Sequence, residues 1–135
     1  MKVEIPSNPQ VAYVLDTSAI VAYLAQEPGG DRLTDIRASA GLPFVALTEL
    51  YAVIWRKRGQ VAADETLQSV LGWRLPLLMA DEHISLSAGY LNGRHRLGLG
   101  DSYVAALTLA SQATLVTKDR DFLVLKPELE LLLLP

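Results

Sequence analysis

The sequence predicts a three-layer α/β/α fold: a central parallel sheet of about five short strands with helices on both faces. Two observations carry that expectation. Four short runs, residues 12–15, 43–46, 75–79 and 114–116, are largely apolar along their length, and a fifth closes the chain at 129–134. Strands without polar alternation are buried on both faces, which is the habit of parallel sheets. Segments of helical period fall between the runs, as the crossovers of a parallel sheet require. With 135 residues, half of them hydrophobic, the chain reads as one domain, 1–135, around one interior.

Each element follows from local chemistry. Residues 1–10 carry Pro6 and Pro9 and read as an irregular lead-in, with no apolar stretch of the secretory-signal kind. Strand 12–15 feeds a helix over 18–26, apolar on nearly every side and therefore expected to be buried. Glu27-Pro28-Gly29-Gly30 breaks it. A shorter, more polar helix over 31–39 belongs at the surface. After the strand at 43–46, Thr48 is placed to cap a helix whose Leu47, Leu50 and Ile54 follow the i, i+3, i+7 pattern to about Arg58. Gly59 stops it. Residues 63–71 repeat the pattern through Leu67, Val70 and Leu71. The third strand follows at 75–79. Asp81 caps a helix that reaches about Arg94, with Ile84, Ala88 and Leu91 on one face. Gly98-Leu99-Gly100 reads as a tight turn, and Asp101 opens an almost wholly apolar helix over 102–111. The strand at 114–116 leads into the polar loop Lys118-Asp119-Arg120-Asp121.

Composition excludes several classes. No cysteine is present, which removes disulfides and thiolate metal sites and fits a cytoplasmic protein. No apolar run approaches the roughly 18 residues of a membrane span, so no membrane contact is expected. Gly98-Leu99-Gly100 lacks the third glycine of a dinucleotide fingerprint, and neither a phosphate-cradling Gly-x-x-x-x-Gly-Lys nor a Gly-x-Ser-x-Gly occurs. His83 and His95 have no partner at metal-ligand spacing and are assigned to structure or surface. Trp55 and Trp73 sit beside helix-period apolar residues and read as core or dimer packing rather than as base-stacking platforms.

The chemistry-bearing signal is a set of acids with a common placement. Asp16 follows the first strand, Asp119 the fourth, and Asp121 lies two residues on. Asp101 starts a buried helix, and Glu49 stands early in the helix after the second strand. Taken singly, each has an ordinary role. Asp16 and Asp101 read as helix N-caps, Glu49 as a first-turn acid complementing the helix dipole, and Asp119 and Asp121 as turn residues. Taken together, they gather at the carboxyl edge of the sheet, where open α/β folds bind ligands. Carboxylates gathered there repel one another unless a cation neutralises them. An all-oxygen donor set suits Mg²⁺ or Mn²⁺. Such a cluster is a device for phosphodiester hydrolysis, the metal activating water and stabilising developing charge.

Leu15-Asp16-Thr17-Ser18-Ala19, Thr48-Glu49-Leu50, Gly100-Asp101-Ser102-Tyr103-Val104-Ala105-Ala106 and Val116-Thr117-Lys118-Asp119-Arg120-Asp121-Phe122 resemble, in order and spacing, the four motifs of PIN-domain ribonucleases. The VapC-type toxins of toxin–antitoxin pairs are the most similar branch. The resemblance runs from about Val11 to the end. It implies that Asp16, Glu49, Asp101 and Asp119 form the catalytic, metal-holding quartet, with Asp121 as an accessory metal ligand. It also implies that the hydroxyls of Thr17, Ser18 and Thr117 order the metal site. The implied activity is Mg²⁺- or Mn²⁺-dependent cleavage of single-stranded or loop RNA. The implied partners are a small cognate antitoxin and a second copy in a homodimer. The apolar helix positions Ile20, Tyr23, Leu24 and Leu50 are the expected antitoxin groove. The lead-in before the first strand is longer than in many members of the family.

Charge bears on the RNA reading. The chain has 12 basic and 15 acidic residues, a net −3, which on its own argues against a nucleic-acid binder. With the quartet neutralised by metal, 11 acids face the 12 basic residues, a balance of +1 that neither excludes RNA nor argues for it. Lys118 and Arg120, flanking Asp119, are the first candidates for phosphate contact. Arg94 and Arg96 come next, five to seven residues before Asp101. Arg56-Lys57-Arg58 reads as a helix end complementing its dipole, with phosphate contact at the rim as the alternative. Two rival functions stand beside the nuclease. One is a PIN-like module that binds RNA or protein without cutting. The other is an Asp-nucleophile phosphatase, disfavoured because Ser18 stands where a second acid is wanted.

Overall fold

The computed structural model describes residues 8–135; most of the expected 1–10 lead-in therefore lies outside the described residues. Five strands, β1 (Tyr13–Leu15), β2 (Ala40–Pro43), β3 (Leu77–Leu78), β4 (Thr114–Thr117) and β5 (Glu130–Leu133), form one sheet of order β3-β2-β1-β4-β5. Every pairing is parallel. Among the described residues six α-helices accompany them: α1 (Thr17–Leu24), α2 (Leu33–Ile36), α3 (Phe44–Arg58), α4 (Gln60–Leu71), α5 (Glu82–Arg94) and α6 (Leu99–Ser111).

Two apolar clusters flank the sheet. Val14 and Leu115 belong to one, with Ile84, Ala88 and Leu91 of α5 and Val104 and Leu107 of α6. Their strand neighbours Leu15 and Val116 point the other way, onto Ala19 and Ile20 of α1, Leu50 of α3 and Val70 of α4. Adjacent strand residues thus feed opposite layers, which explains why the central strands tolerate no polar alternation. Leu15 and Leu115 are wholly buried, each contributing roughly 1.5–3 kcal/mol of transfer free energy.

The three-layer architecture matches the expectation from sequence, but several boundaries do not. β2 lies at Ala40–Pro43, not 43–46, and Phe44 already begins α3. Pro43 sits at the helix's leading boundary with φ −59°, where a missing N–H costs nothing. Phe44 and Val45 favour strands by propensity, but their packing against the α5–α6 cluster decides the conformation. Thr48 is consequently inside α3 and exposed, and caps nothing. The expected helix over 31–39 is broken into a 3₁₀ turn, the four-residue α2 and a second 3₁₀ turn. α4 starts three residues early, directly after Gly59 (φ +87°). β3 shrinks to two residues. Gly98-Leu99-Gly100 is no separate turn: Gly98 is the N-cap position and α6 begins at Leu99. Asp81 does cap α5, accepting from the Ile84 N–H at 2.8 Å.

The topology fixes where a ligand would go. From β1 the chain moves outward to β2 and β3, then returns to place β4 on the other side of β1. The carboxyl ends of β1 and β4 therefore border the switch point of the sheet, the crevice that open α/β folds use for binding. Asp16 leaves β1 and Asp119 follows β4 at this point, with the Asp16 N–H donating to the Val116 carbonyl at 3.0 Å.

Candidate active site

Asp16, Glu49, Asp101 and Asp119 line one cleft, together with Thr17, Ser18, Val21, Glu27, Val53, Lys57 and Lys118. Each acid arrives on a different element. Asp16 occupies the N-cap position of α1 but makes no capping bond. Its carboxylate turns inward instead. Oδ2 accepts from the Thr117 hydroxyl at 2.7 Å and from the Ser18 hydroxyl at 2.9 Å. The Thr117 oxygen accepts the Asp119 N–H at 2.9 Å, and the Ser18 oxygen accepts the Lys118 N–H at 2.9 Å. These bonds lock the end of β4 onto the start of α1. Thr17 turns the other way, donating to Glu49 Oε2 at 3.1 Å.

The ordinary roles of single acids are mostly displaced. Glu49 is the sixth residue of α3, beyond the first turn, so the helix dipole does not account for it. Asp101 is the third residue of α6, with Gly98 in the N-cap position, so it is not a cap. Asp119 does keep a turn role, as Oδ1 accepts the Asp121 N–H at 2.9 Å.

The remaining sequence candidates divide. Asp121 is exposed, yet it offers a carboxylate oxygen that lies with one from Asp101 and one from Asp119 within a mutual 4.8 Å. Lys118 lines the cleft, whereas exposed Arg120 and Arg96 are not among its lining residues. Arg94 is directed elsewhere, over the Tyr90 ring and into a separate cavity between α5 and α6. That cavity also takes both histidines. Trp55 is exposed at 44% and meets Tyr51 edge-on, so the core reading fails for it. Trp73 packs against Tyr23, with the Arg37 guanidinium 4.8 Å from its ring.

Among the charged cleft residues, Glu27 is the one that the sequence does not single out for a site: it belongs to a helix break, and nothing local reveals that the break abuts the acids. Lys57 belongs to the basic helix end for which phosphate contact at the rim is the alternative reading, and only the crossing of α3 past α1 distinguishes it from Arg56 and Arg58. Gly100 also shapes the cleft: a Cβ there would collide with the Glu49 carboxylate. Its lack of a side chain lets α6 approach α3 closely enough to set Asp101 and Glu49 in one cleft.

The electrostatics are those of an unneutralised cluster. Burial, then the neighbouring Asp16, Asp119, Glu49 and Asp121 charges, push Asp101 from the ordinary 3.8 up to about 7. Burial also raises Asp16, although the Thr117 and Ser18 hydroxyls pull it partly back. Glu49 is raised by burial and, more weakly, by Asp16, against the opposing Thr17 bond. Among the described residues no Lys, Arg or His approaches any of these acids within ion-pair distance; the ion pair found is Lys118–Glu27.

That donor set fits a hard divalent cation. Three carboxylate oxygens lie within 4.8 Å of one another, so a slight contraction brings them to the separations of an octahedral Mg²⁺ shell, at most roughly 4.2 Å with ~2.1 Å bonds. A pH dependence follows. In the metal-free chain Asp101 holds its proton to about pH 7, whereas the unfolded chain releases it near pH 4. The folded state then binds more protons in that window, so stability is highest at the acid end and falls as pH climbs from about 4 to 7. Thermal melts of metal-free protein across that range measure it. Mn²⁺ affinity should run the opposite way, rising to about pH 7 and levelling off once Asp101 is ionised.

A family model described as PIN domain matches residues 13–126. No curated protein sequence matches the chain. Solved structures of similar fold include VapBC2 from Rickettsia felis, described as bound to a DNA fragment from its promoter. It is 20% identical with a TM-score of 0.75, over 93% of this chain and 100% of that one. VapC20 from Mycobacterium tuberculosis, described as a sarcin–ricin-loop-cleaving toxin, is 17% identical. Its TM-score is 0.70, over 85% of this chain and 95% of the other. FitAcB from Neisseria gonorrhoeae is 20% identical with a TM-score of 0.68, over 88% and 95%.

Proposed function

The chain belongs to the PIN-domain family, and from that premise we propose that it is a Mg²⁺- or Mn²⁺-dependent endoribonuclease of the VapC type, the toxin of a toxin–antitoxin pair. The observation that carries this reading is the convergence of Asp16, Glu49, Asp101 and Asp119 on one cleft at the sheet's switch point, with no Lys, Arg or His of the described residues within ion-pair distance of them. A module that only binds RNA or protein gains nothing from that repulsion. The likeness to VapBC complexes and to a loop-cleaving toxin supports the choice of partner and substrate. An antitoxin segment would lie over Ile20, Tyr23, Leu24 and Leu50, and the enzyme would act as a homodimer in the cytoplasm. Of these four, Tyr23 is half-buried and Leu24 exposed, while Ile20 and Leu50 are wholly or almost wholly buried. The groove would therefore present Tyr23 and Leu24.

In this reading Asp16, Glu49, Asp101 and Asp119 would hold the ion with Asp121 as an accessory ligand, and the oxygens of Asp101, Asp119 and Asp121 already lie within a mutual 4.8 Å. The bound ion supplies a lowered water pKa and charge stabilisation for in-line attack on the phosphodiester. The chain's own residues prepare that site. Thr117 and Ser18 fix the orientation of the Asp16 carboxylate by donating two hydroxyl hydrogens to one oxygen. Thr17 steadies Glu49. Asp119, tied by its N–H to Thr117 and by Oδ1 to the Asp121 N–H, is set in orientation before substrate arrives, which spares reorganisation during the reaction. Lys57 and Lys118 on the cleft wall offer point charges to RNA phosphates.

The test is cleavage of single-stranded and stem-loop RNA by purified protein with Mn²⁺ or with a chelator. Cleavage confined to the metal-containing reaction supports the proposal. RNA binding without cleavage at any metal concentration would favour the non-catalytic module. A second check uses Gly100→Ala. The added methyl displaces the Glu49 carboxylate but leaves the backbone room, and Ala suits a helix better than Gly by about 1 kcal/mol. Cleavage should fall roughly 10–100-fold with the melting temperature unchanged or raised.

A further inference from the structure

We propose that Glu27 is a positioning residue that holds the Lys118 ammonium at the mouth of the cleft, away from the acids and ready for a substrate phosphate. The proposal rests on the metal-nuclease reading of the same site. Its observation is an asymmetry of charge pairing. Lys118 stands in sequence between Thr117 and Asp119, beside a cluster of unneutralised carboxylates. Yet its Nζ bonds to Glu27 Oε1 at 3.1 Å, 91 residues away in sequence. Both residues line the acid cleft.

Each end of this pair is anchored by backbone. The Lys118 N–H donates to Ser18 Oγ, so its main chain cannot swing outward. Glu27 sits in the turn after α1: its N–H donates to the Ala22 carbonyl at 2.8 Å, and its carbonyl accepts the Gly30 N–H at 3.0 Å. Gly29 in that turn has φ +83°, and a Cβ on Gly30 would collide with the Ala22 carbonyl. The Glu-Pro-Gly-Gly sequence is thus the one that folds Glu27 back beside the cleft. An ion pair this exposed adds little to stability, so its effect is placement.

Without Glu27, the carboxylates lining the same cleft are left as counter-charges for the flexible lysine stem. A lysine there competes with Mn²⁺ and is no longer at the rim to meet RNA. The variants are Glu27→Gln, Glu27→Asp, Lys118→Met and the double Glu27→Gln/Lys118→Met. Mn²⁺ affinity is measured by titration calorimetry without RNA, and RNA cleavage as separate KM and kcat. Glu27→Gln should weaken Mn²⁺ binding roughly three- to tenfold and raise KM for RNA, with kcat at saturating Mn²⁺ within about twofold. Glu27→Asp should restore most of both. The double variant should bind Mn²⁺ as Lys118→Met does, because the competing ammonium is gone.

Unchanged Mn²⁺ affinity in Glu27→Gln overturns the proposal. So does a loss that persists in the double variant, since Glu27 would then act on the metal directly by its charge. Wild-type protein that shows no metal-dependent cleavage removes the nuclease reading itself. Wild type that cleaves, alongside a Glu27→Gln variant identical to it, removes only the role of Glu27.

Discussion

Asp101→Asn will lose RNA cleavage by roughly 10³-fold or more while making the metal-free protein more stable at neutral pH. The two effects have one cause. Asp101 is raised to about 7 by burial and by four neighbouring acids, so at pH 7–8 its charge works against the fold. An amide of the same shape removes that charge. The gain is about 1 kcal/mol once solvent screening of a half-exposed group is allowed for, or about 3–5 °C in Tm for a chain of this length. The same amide is a poorer metal donor, and losing several kcal/mol of metal-supplied charge stabilisation gives the rate loss. Melting curves with and without Mn²⁺ check it: the variant should melt above wild type without metal and should lose the Mn²⁺-dependent rise. A variant less stable than wild type in metal-free buffer at pH 8 would show that Asp101 serves the fold.

Thr117→Val should do the reverse and damage both fold and activity. Thr117 is wholly buried. Its hydroxyl serves two groups, donating to Asp16 and accepting from the Asp119 N–H. Valine keeps the shape but leaves a buried carboxylate one donor short and an N–H without its acceptor. The cost should be about 1.5–3 kcal/mol. Cleavage should fall a further 10–100-fold at saturating metal, the usual scale for losing a group that orients a metal ligand. Thr117→Ser retains the hydroxyl and should keep most of both. Urea unfolding measured beside cleavage separates the stability loss from the catalytic one. A Thr117→Val protein with wild-type activity would mean that Asp16 needs no orienting bond.

The order of strands and helices could be read from hydrophobic pattern because the central strands are buried on both faces and the helices carry apolar stripes. The β2–α3 boundary could not. Ala40-Gly41-Leu42-Pro43 has no strong strand former, while Phe44 and Val45 do, and only packing against α6 and the sheet makes them helical. Asp16 and Asp119 were legible because a strand end is a fixed address in a parallel sheet. Their roles were less so: that Asp16 declines to cap α1 depends on Thr117, 101 residues on. Glu27 was invisible for the same reason, since its partner lies across the cleft. Arg94 and Arg96 illustrate the converse. Nearness in sequence to Asp101 says little about direction when a helix turns the chain, and Arg94 faces a different cavity.

The central claim is that these acids exist to hold a divalent ion, and direct titration of the metal-free chain with Mn²⁺ at pH 8 tests it. The arrangement predicts saturable binding in the wild type, at least tenfold weaker in Asp101→Asn and in Asp119→Asn, with both variants still folded. Absence of saturable binding in the wild type, or equal affinity in all three proteins, would contradict it.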